Sequence, residues 1–226
     1  MKNEARVVEM SVTADLKRPD WICSKARQEV IVMRDTSPSM EENNKATQAL
    51  AASNEMMDEL AQPMNKGGFY ATVIDFNFKA TVVDDWAPVT DLAGRVQPLR
   101  IDNSTNITSA LELGVRQLTE HKRDPAFTWL RPVGLIFTDG CHNTSGMSPV
   151  EMAVRFKEMA DLVTVAFGDD ADEELLRRIA TSPQHFYRVN NGAELRNFMA
   201  RVGATLSIGM AQKRDSTRPL AMLGPH

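Results

Sequence analysis

Apolar residues fall into short continuous runs, separated by longer stretches in which they recur every three or four positions. EVIVM, residues 29–33, is the kind of run found in strands buried on both faces. MEENNKATQALAASNEMMDEL follows, rich in helix formers at helical spacing, and predicts a helix over 40–61 closed by QPMNKGG. FYATVIDFN predicts a strand over 69–77, and residues 78–84 within FKATVVDDW predict its antiparallel hairpin partner. Residues 85–106 read as a loop holding a short helix near Asp91–Val96. Beyond it the pattern alternates: helix ITSALELGVRQLTEH, strand PVGLIFTDG, and helix SPVEMAVRFKEMA with Ser148 as N-cap and Pro149 in its first turn. Strand LVTVAF, helix DADEELLRRIA, short strand HFYRV and a last helix from Gly192 to Met210 complete the series. Alternation of this kind predicts an α/β fold: a central, mostly parallel sheet with helices on both faces, a three-layer Rossmann-like sandwich with one antiparallel edge strand.

The ends are polar. Residues 1–27 read as an N-terminal extension, with an edge strand at Arg6–Val12, and residues 211–226, which include Pro219 and Pro225, as a mobile tail. The domain proper is assigned to 28–210. No apolar segment near residue 1 resembles a signal peptide, and no run of about 18 apolar residues predicts a membrane span. Net charge is −4 with both signs mixed, so nothing points to nucleic acid as a partner. Two cysteines, Cys23 and Cys141, make no disulfide framework and fit a reducing compartment, the cytoplasm.

The chemistry concentrates where apolar runs stop. The first strand ends in Arg34-Asp35-Thr36-Ser37-Pro38-Ser39. In an extended turn, Asp35, Ser37 and Ser39 project to one side and offer a carboxylate and two hydroxyls, hard oxygen donors that suit Mg²⁺ or Ca²⁺. The competing reading makes Ser37 or Ser39 a plain N-cap. Two further stretches favour the metal: DNSTNITSAL sets Ser104, Thr105 and Asn106 before a helix, and GLIFTDG ends a strand at Asp139. In a parallel sheet all three loops lie at the same edge.

Asp-x-Ser-x-Ser, the Thr105-Asn106-Ile107 segment and Thr138-Asp139-Gly140, in that order, resemble the von Willebrand factor A domain with its metal-ion-dependent adhesion site. The resemblance implies that Ser37, Ser39 and Thr105 give hydroxyls to a divalent ion, Mg²⁺ or else Mn²⁺ or Ca²⁺, with Asp35 and Asp139 acting directly or through water. It implies a protein partner that completes the coordination with an Asp or Glu, surrounded by loops 36–40, 103–107 and 140–147, with Pro38, Asn106 and Gly140 facing the partner. The closing sequence HFYRVNNGAELRNFMARVGATLS looks like the tellurite-resistance TerY-like branch, a cytoplasmic stress system. Three positions depart from the common family pattern: Pro38 stands for a glycine, Arg34 for an apolar residue, and Asn103-Ser104 for a glycine ahead of the threonine. No ligand is removed.

Two rivals stay open. One is a metal-dependent phosphoryl or ester hydrolase, although Ser37 occupies the place where a haloacid-dehalogenase phosphatase has its second aspartate, and no Walker A, G-x-S-x-G or H-E-x-x-H sequence occurs. The other is a scaffold with a silent metal site. Cys141-His142 reads as loop rather than a soft-metal pair, Asp169, Asp170 and Asp172 as a solvated helix start rather than a Ca²⁺ site, and Met56 and Met57 as core. Phe127 and Trp129 fit either core or a partner contact.

Overall fold

The computed structural model describes residues 25–102 and 104–224. Its strands are β1 (Ala26–Asp35), β2 (Phe69–Phe76), β3 (Ala80–Pro88), β4 (Thr128–Trp129), β5 (Val133–Thr138), β6 (Asp161–Phe167) and β7 (Phe186–Val189). Its helices are α1 (Lys45–Leu60), α2 (Val89–Leu92), α3 (Ile107–Glu120), α4 (Pro149–Met159), α5 (Glu173–Ile179), α6 (Gly192–Gln212) and α7 (Thr217–Leu220), with 3-10 turns at Pro38–Asn44, Pro63–Asn65 and Pro183–His185. The strands form one sheet in the order β3-β2-β1-β5-β6-β7, and β4 adds a short pairing to the start of β1. Every pairing is parallel except β2 with β3, so the three-layer arrangement with one antiparallel edge strand is the observed fold.

Strand alternation divides the core. Val30 and Val32 of β1 belong with Met56 and Leu60 of α1 and Val202 and Leu206 of α6, whereas Ile31 and Met33 belong with Leu111, Phe156 and Ile179 from α3, α4 and α5. Met56 and Met57 are both fully buried. On the second face Phe156 lies against two backbones. A Cβ added to Gly134 of β5 would stand 2.4 Å from Phe156 Cζ, and one added to Gly114 of α3 would stand 2.8 Å from its Cε2. Both positions need glycine because the ring occupies the space.

Arg34 is fully buried and faces its register neighbour Asp75 on β2. Its Nε and Nη2 donate to Asp75 Oδ1 and Oδ2 at 2.6 and 3.1 Å. Burial pushes the Asp75 carboxyl above its ordinary value, and the guanidinium pulls it back down. A two-point pair of this kind lets a charge stand where an apolar residue is usual.

Several boundaries differ from the sequence expectation. The helix expected from Met40 begins at Lys45, because Glu42 is extended (ψ 141°) and Asn43 and Asn44 are left-handed (φ 52° and 58°). Asparagine tolerates that conformation, and the step resets the direction of the chain before α1. The edge strand runs over Ala80–Pro88 rather than 78–84, and the short helix is Val89–Leu92, not 91–96. The segment after Gln212, expected to be mobile, is packed as far as it is described. Leu220 is fully buried and Leu223 nearly so, and the Tyr187 hydroxyl donates to the Leu220 carbonyl. The expected strand at Arg6–Val12 lies outside the described residues, as does most of the 1–27 extension.

Candidate metal centre

The parallel strands deliver their C-terminal ends to one edge, with Asp35 closing β1 and Asp139 directly following β5. The turn after β1 is built by its own polar groups. Thr36 N–H and Oγ1 both donate to the Phe76 carbonyl, at 2.8 and 3.1 Å, which locks the turn to β2. Ser37 N–H donates to Asp35 Oδ1 at 2.8 Å, the local bond an aspartate makes two residues ahead of itself. Ser37 precedes the 3-10 turn at Pro38, yet its side chain makes no capping bond. Its Oγ instead lies 3.0 Å from Ser39 Oγ, and Ser39 donates to Asp139 Oδ1 at 2.7 Å. The N-cap reading of these serines therefore fails for Ser37, and both hydroxyls turn toward the strand edge.

The second loop is tied down from two sides. Asp102 N–H donates to the Thr36 carbonyl at 2.9 Å, and Thr105 N–H donates to Asn143 Oδ1 at 2.9 Å. Ser104 takes φ 70°, the left-handed conformation that a glycine would meet without strain. Thr105 is buried. The carboxamide of Asn106, named from the sequence as a partner-facing group, is committed to the fold: its Oδ1 caps α3 at Ser109 N–H, 3.0 Å, and its Nδ2 donates to the Phe78 carbonyl, 3.1 Å. Pro38 is exposed and Gly140 half-buried at the rim.

The absent side chain of Gly140 marks where the groups meet. A Cβ there would stand 3.1 Å from Thr105 Oγ1 and 3.9 Å from both Asp35 Oδ2 and Ser37 Oγ. Three oxygens from two loops thus surround a space that a side chain would fill. With Ser39 and Asp139 hydrogen-bonded alongside, all five sequence-predicted residues are brought together. The donors are hydroxyl and carboxylate oxygens only, a set that fits a hard divalent cation. Among the described residues no group of three or more His, Cys, Asp or Glu could hold a metal, so the site depends on its hydroxyls.

Burial pushes the Asp35 carboxyl up to about 6, against hydrogen bonds from Thr138 and Ser37 that lower it and the nearby Asp139 charge that raises it further. Thr138 Oγ1 donates to Asp35 Oδ2. Asp139 has a different companion: Lys45 Nζ donates to its Oδ2 at 2.6 Å. Asn143 and Lys45 were not singled out in the sequence, and Thr138 stood there only as part of the Thr138-Asp139-Gly140 motif, with no role toward Asp35. Lys45 could not have been found, because an isolated lysine at a helix start carries no signal.

The remaining sequence candidates have local roles. Cys141 is a free, exposed thiol and His142 contacts Thr144 Oγ1 at 3.4 Å; the two do not converge on a third ligand. Asp172 caps α5 at Leu175 N–H, 2.9 Å, while Asp169 and Glu173 pair with Arg188. Phe127 lies under the Arg27 guanidinium, 3.9 Å from ring centroid to Cζ, and Trp129 meets Tyr70 at a tilt and His121 edge-on, with ring centroids 5.9 and 6.0 Å apart.

The family model of the von Willebrand factor type A domain matches residues 29–201. Among solved structures, proximal thread matrix protein 1 from the mussel byssus, with a zinc-occupied MIDAS motif, superposes with TM-score 0.64 at 22% identity, covering 82% of this chain and 46% of that one. The von Willebrand factor type A protein of Catenulispora acidiphila gives 0.65 at 19%, covering 82% and 43%. The vWF domain of the type V pili tip protein Mfa5 from Porphyromonas gingivalis gives 0.67 at 11%, covering 82% and 97%. The chain spans less than half the length of the mussel and Catenulispora chains. No curated protein matches it.

Proposed function

The chain belongs to the von Willebrand factor type A domain family, and we propose that it is a metal-dependent protein-binding module that captures a partner's Asp or Glu. The observation that supports this reading is the cradle facing Gly140, where Thr105, Asp35 and Ser37 present oxygen atoms to one space. Ser37, Ser39 and Thr105 would hold the ion by their hydroxyls, and Asp35 and Asp139 would orient those hydroxyls by accepting hydrogen bonds. A cation bound mainly by neutral oxygens supplies an electrophilic position that an incoming carboxylate completes. We take the ion to be Mg²⁺, with Mn²⁺ or Ca²⁺ as substitutes.

The chain's own groups favour binding over catalysis. Asp35 accepts from Ser37 N–H and Thr138, and Asp139 from Ser39 and Lys45, so both carboxylates are engaged in organising the site, as a binding role requires. The rim carries contact surface suited to a partner: Phe78 is 54% and Met147 42% exposed on loops that flank Asn106. Loops on a rigid sheet carry recognition, and these would choose among partners. Among the described residues no helix is long and apolar enough to cross a membrane. The proposed setting is a cytoplasmic stress response of the tellurite-resistance kind, in keeping with the resemblance of the closing helix and a free, exposed Cys141.

Calorimetry with Mg²⁺, Mn²⁺ and Ca²⁺, followed by partner capture from the native host with and without EDTA, tests the reading. Asp35→Ala and the double change Ser37→Ala with Ser39→Ala should abolish metal binding, and Thr105→Ala should weaken capture while the protein stays folded. Capture that is equal in EDTA would mean the ion is incidental and the domain a scaffold. Metal-dependent turnover of a phosphate ester that Asp35→Asn removes would mean it is an enzyme.

A further inference from the structure

Asp139 enters the cradle with Ser39 on one oxygen and the Lys45 ammonium on the other, at 2.7 and 2.6 Å. Lys45 is the first residue of α1 and is 8% exposed. Its ammonium lies 3.5 Å from where a Cβ on Gly168 would stand, so backbone walls it on that side. Gly168 takes φ 95°, which a side chain would strain, and a side chain there would also crowd the lysine. An ammonium at a helix N-terminus opposes the helix dipole, and burial strips its water. Both penalties are tolerable only beside a carboxylate, and Asp139 provides it. A divalent ion held by Ser37, Ser39 and Thr105 would draw on the same carboxylate. Two cations that share one anion repel each other, and the repulsion is poorly screened where water is scarce.

We propose that Lys45 is a tethered counter-cation that keeps the oxygen cradle assembled without a divalent ion and lowers the affinity with which one is held. The proposal rests on the metal-centre reading above and adds who else competes for that site. With Lys45 in place, removal of the ion leaves Asp139 neutralised, so the folded state does not depend on metal. The ion is then free to exchange, and partner capture follows the ambient concentration of the ion rather than a permanently filled site.

The test compares Mg²⁺ and Mn²⁺ affinity by calorimetry, and melting temperature in EDTA and in saturating Mg²⁺, for wild type, Lys45→Met and Lys45→Met with Asp139→Asn. Methionine keeps the length of the side chain and removes the charge. Lys45→Met should bind metal at least about tenfold more tightly than wild type. Its melting temperature should fall in EDTA and rise with Mg²⁺ by clearly more than the rise that metal binding itself gives the wild type. The double variant, with no unpaired charge, should melt independently of metal. A lysine with a packing role only would move the melting temperature equally in both conditions.

Equal affinity in wild type and Lys45→Met overturns the proposal and leaves the metal centre standing. Absence of binding in both overturns the two together. Binding gained only by Lys45→Met supports the counter-cation and overturns metal use by the wild type. Should Lys45→Met fail to fold in either condition, the double variant decides: folding supports an unpaired Asp139 as the fault, and failure to fold overturns the proposal.

Discussion

At the residue scale, burial acts most strongly on Asp35. Its carboxyl is pushed up to about 6 from an ordinary 3.8, chiefly by burial. Between those values the folded protein binds the proton more than the unfolded chain does, so stability declines as pH rises through that window. The full difference of about two units corresponds to roughly 3 kcal/mol as an upper bound. Urea titrations in EDTA from pH 4 to 7.5 should show this decline for wild type, and Asp35→Asn, which cannot ionise, should flatten it. Equal slopes for the two proteins would refute it. The residues of this site were legible to unequal degrees. Asp35, Ser37 and Ser39 could be read because their chemistry lies in a local spacing of two. Thr105 and Asp139 could be read because each sits where an apolar segment meets a loop. Lys45 and Asn143 act only across contacts that the sequence does not display, at separations of 94 and 38 residues.

At the element scale, the parallel strands were legible because strands covered on both faces become continuous apolar runs, as Val30–Met33 and Val133–Phe137 do. Element ends were less so. Met40, Glu41, Glu42 and Lys45 favour helix, but Asn43 and Asn44 between them rank low and take the left-handed conformation, which ends the helical run there. Likewise β3 extends to Pro88 because an edge strand needs pairing on one side only, so proline can end it. Glycine at 134 gave no sequence signal, yet it fixes how α4 approaches β5. Gly134→Ala should push the Phe156 ring away from the sheet and lower stability by roughly 1–3 kcal/mol. Phe156→Leu in the same background should restore part of the loss, since it vacates the ring position. Denaturant midpoints for the two variants measure both effects, and a Gly134→Ala protein as stable as wild type would contradict the packing argument.

At the scale of the whole molecule, the two edges of the sheet do different work. The C-terminal edge carries the oxygen cradle and its loops. The N-terminal edge is closed by the last segment of the chain, whose polar composition reads as a loose tail. Only Leu220 and Leu223 announce burial, too few for a pattern, and the rest of its attachment is made by hydrogen bonds. Asp215 Oδ1 accepts from Arg131 N–H at 2.8 Å just before β5, the Thr217 carbonyl lies 2.8 Å from His185 Nε2 just before β7, and Thr217 Oγ1 donates to Asp161 at the start of β6. Three strand starts are thus tied to one short segment. Leu220→Ala should cost about 2–5 kcal/mol, as truncation of a fully buried leucine does. Ending the chain at Gln212 should cost more, a large fraction of the 5–15 kcal/mol typical of a whole domain. Metal affinity should respond differently. The segment and the cradle lie at opposite ends of the strands and share no residue, so their energies should add rather than couple. Calorimetry on Leu220→Ala, well below its melting temperature, should therefore return the wild-type metal affinity although its denaturant midpoint has fallen. A parallel loss of affinity would mean that the sheet transmits strain from one edge to the other, and the division of labour between the two edges would have to be abandoned.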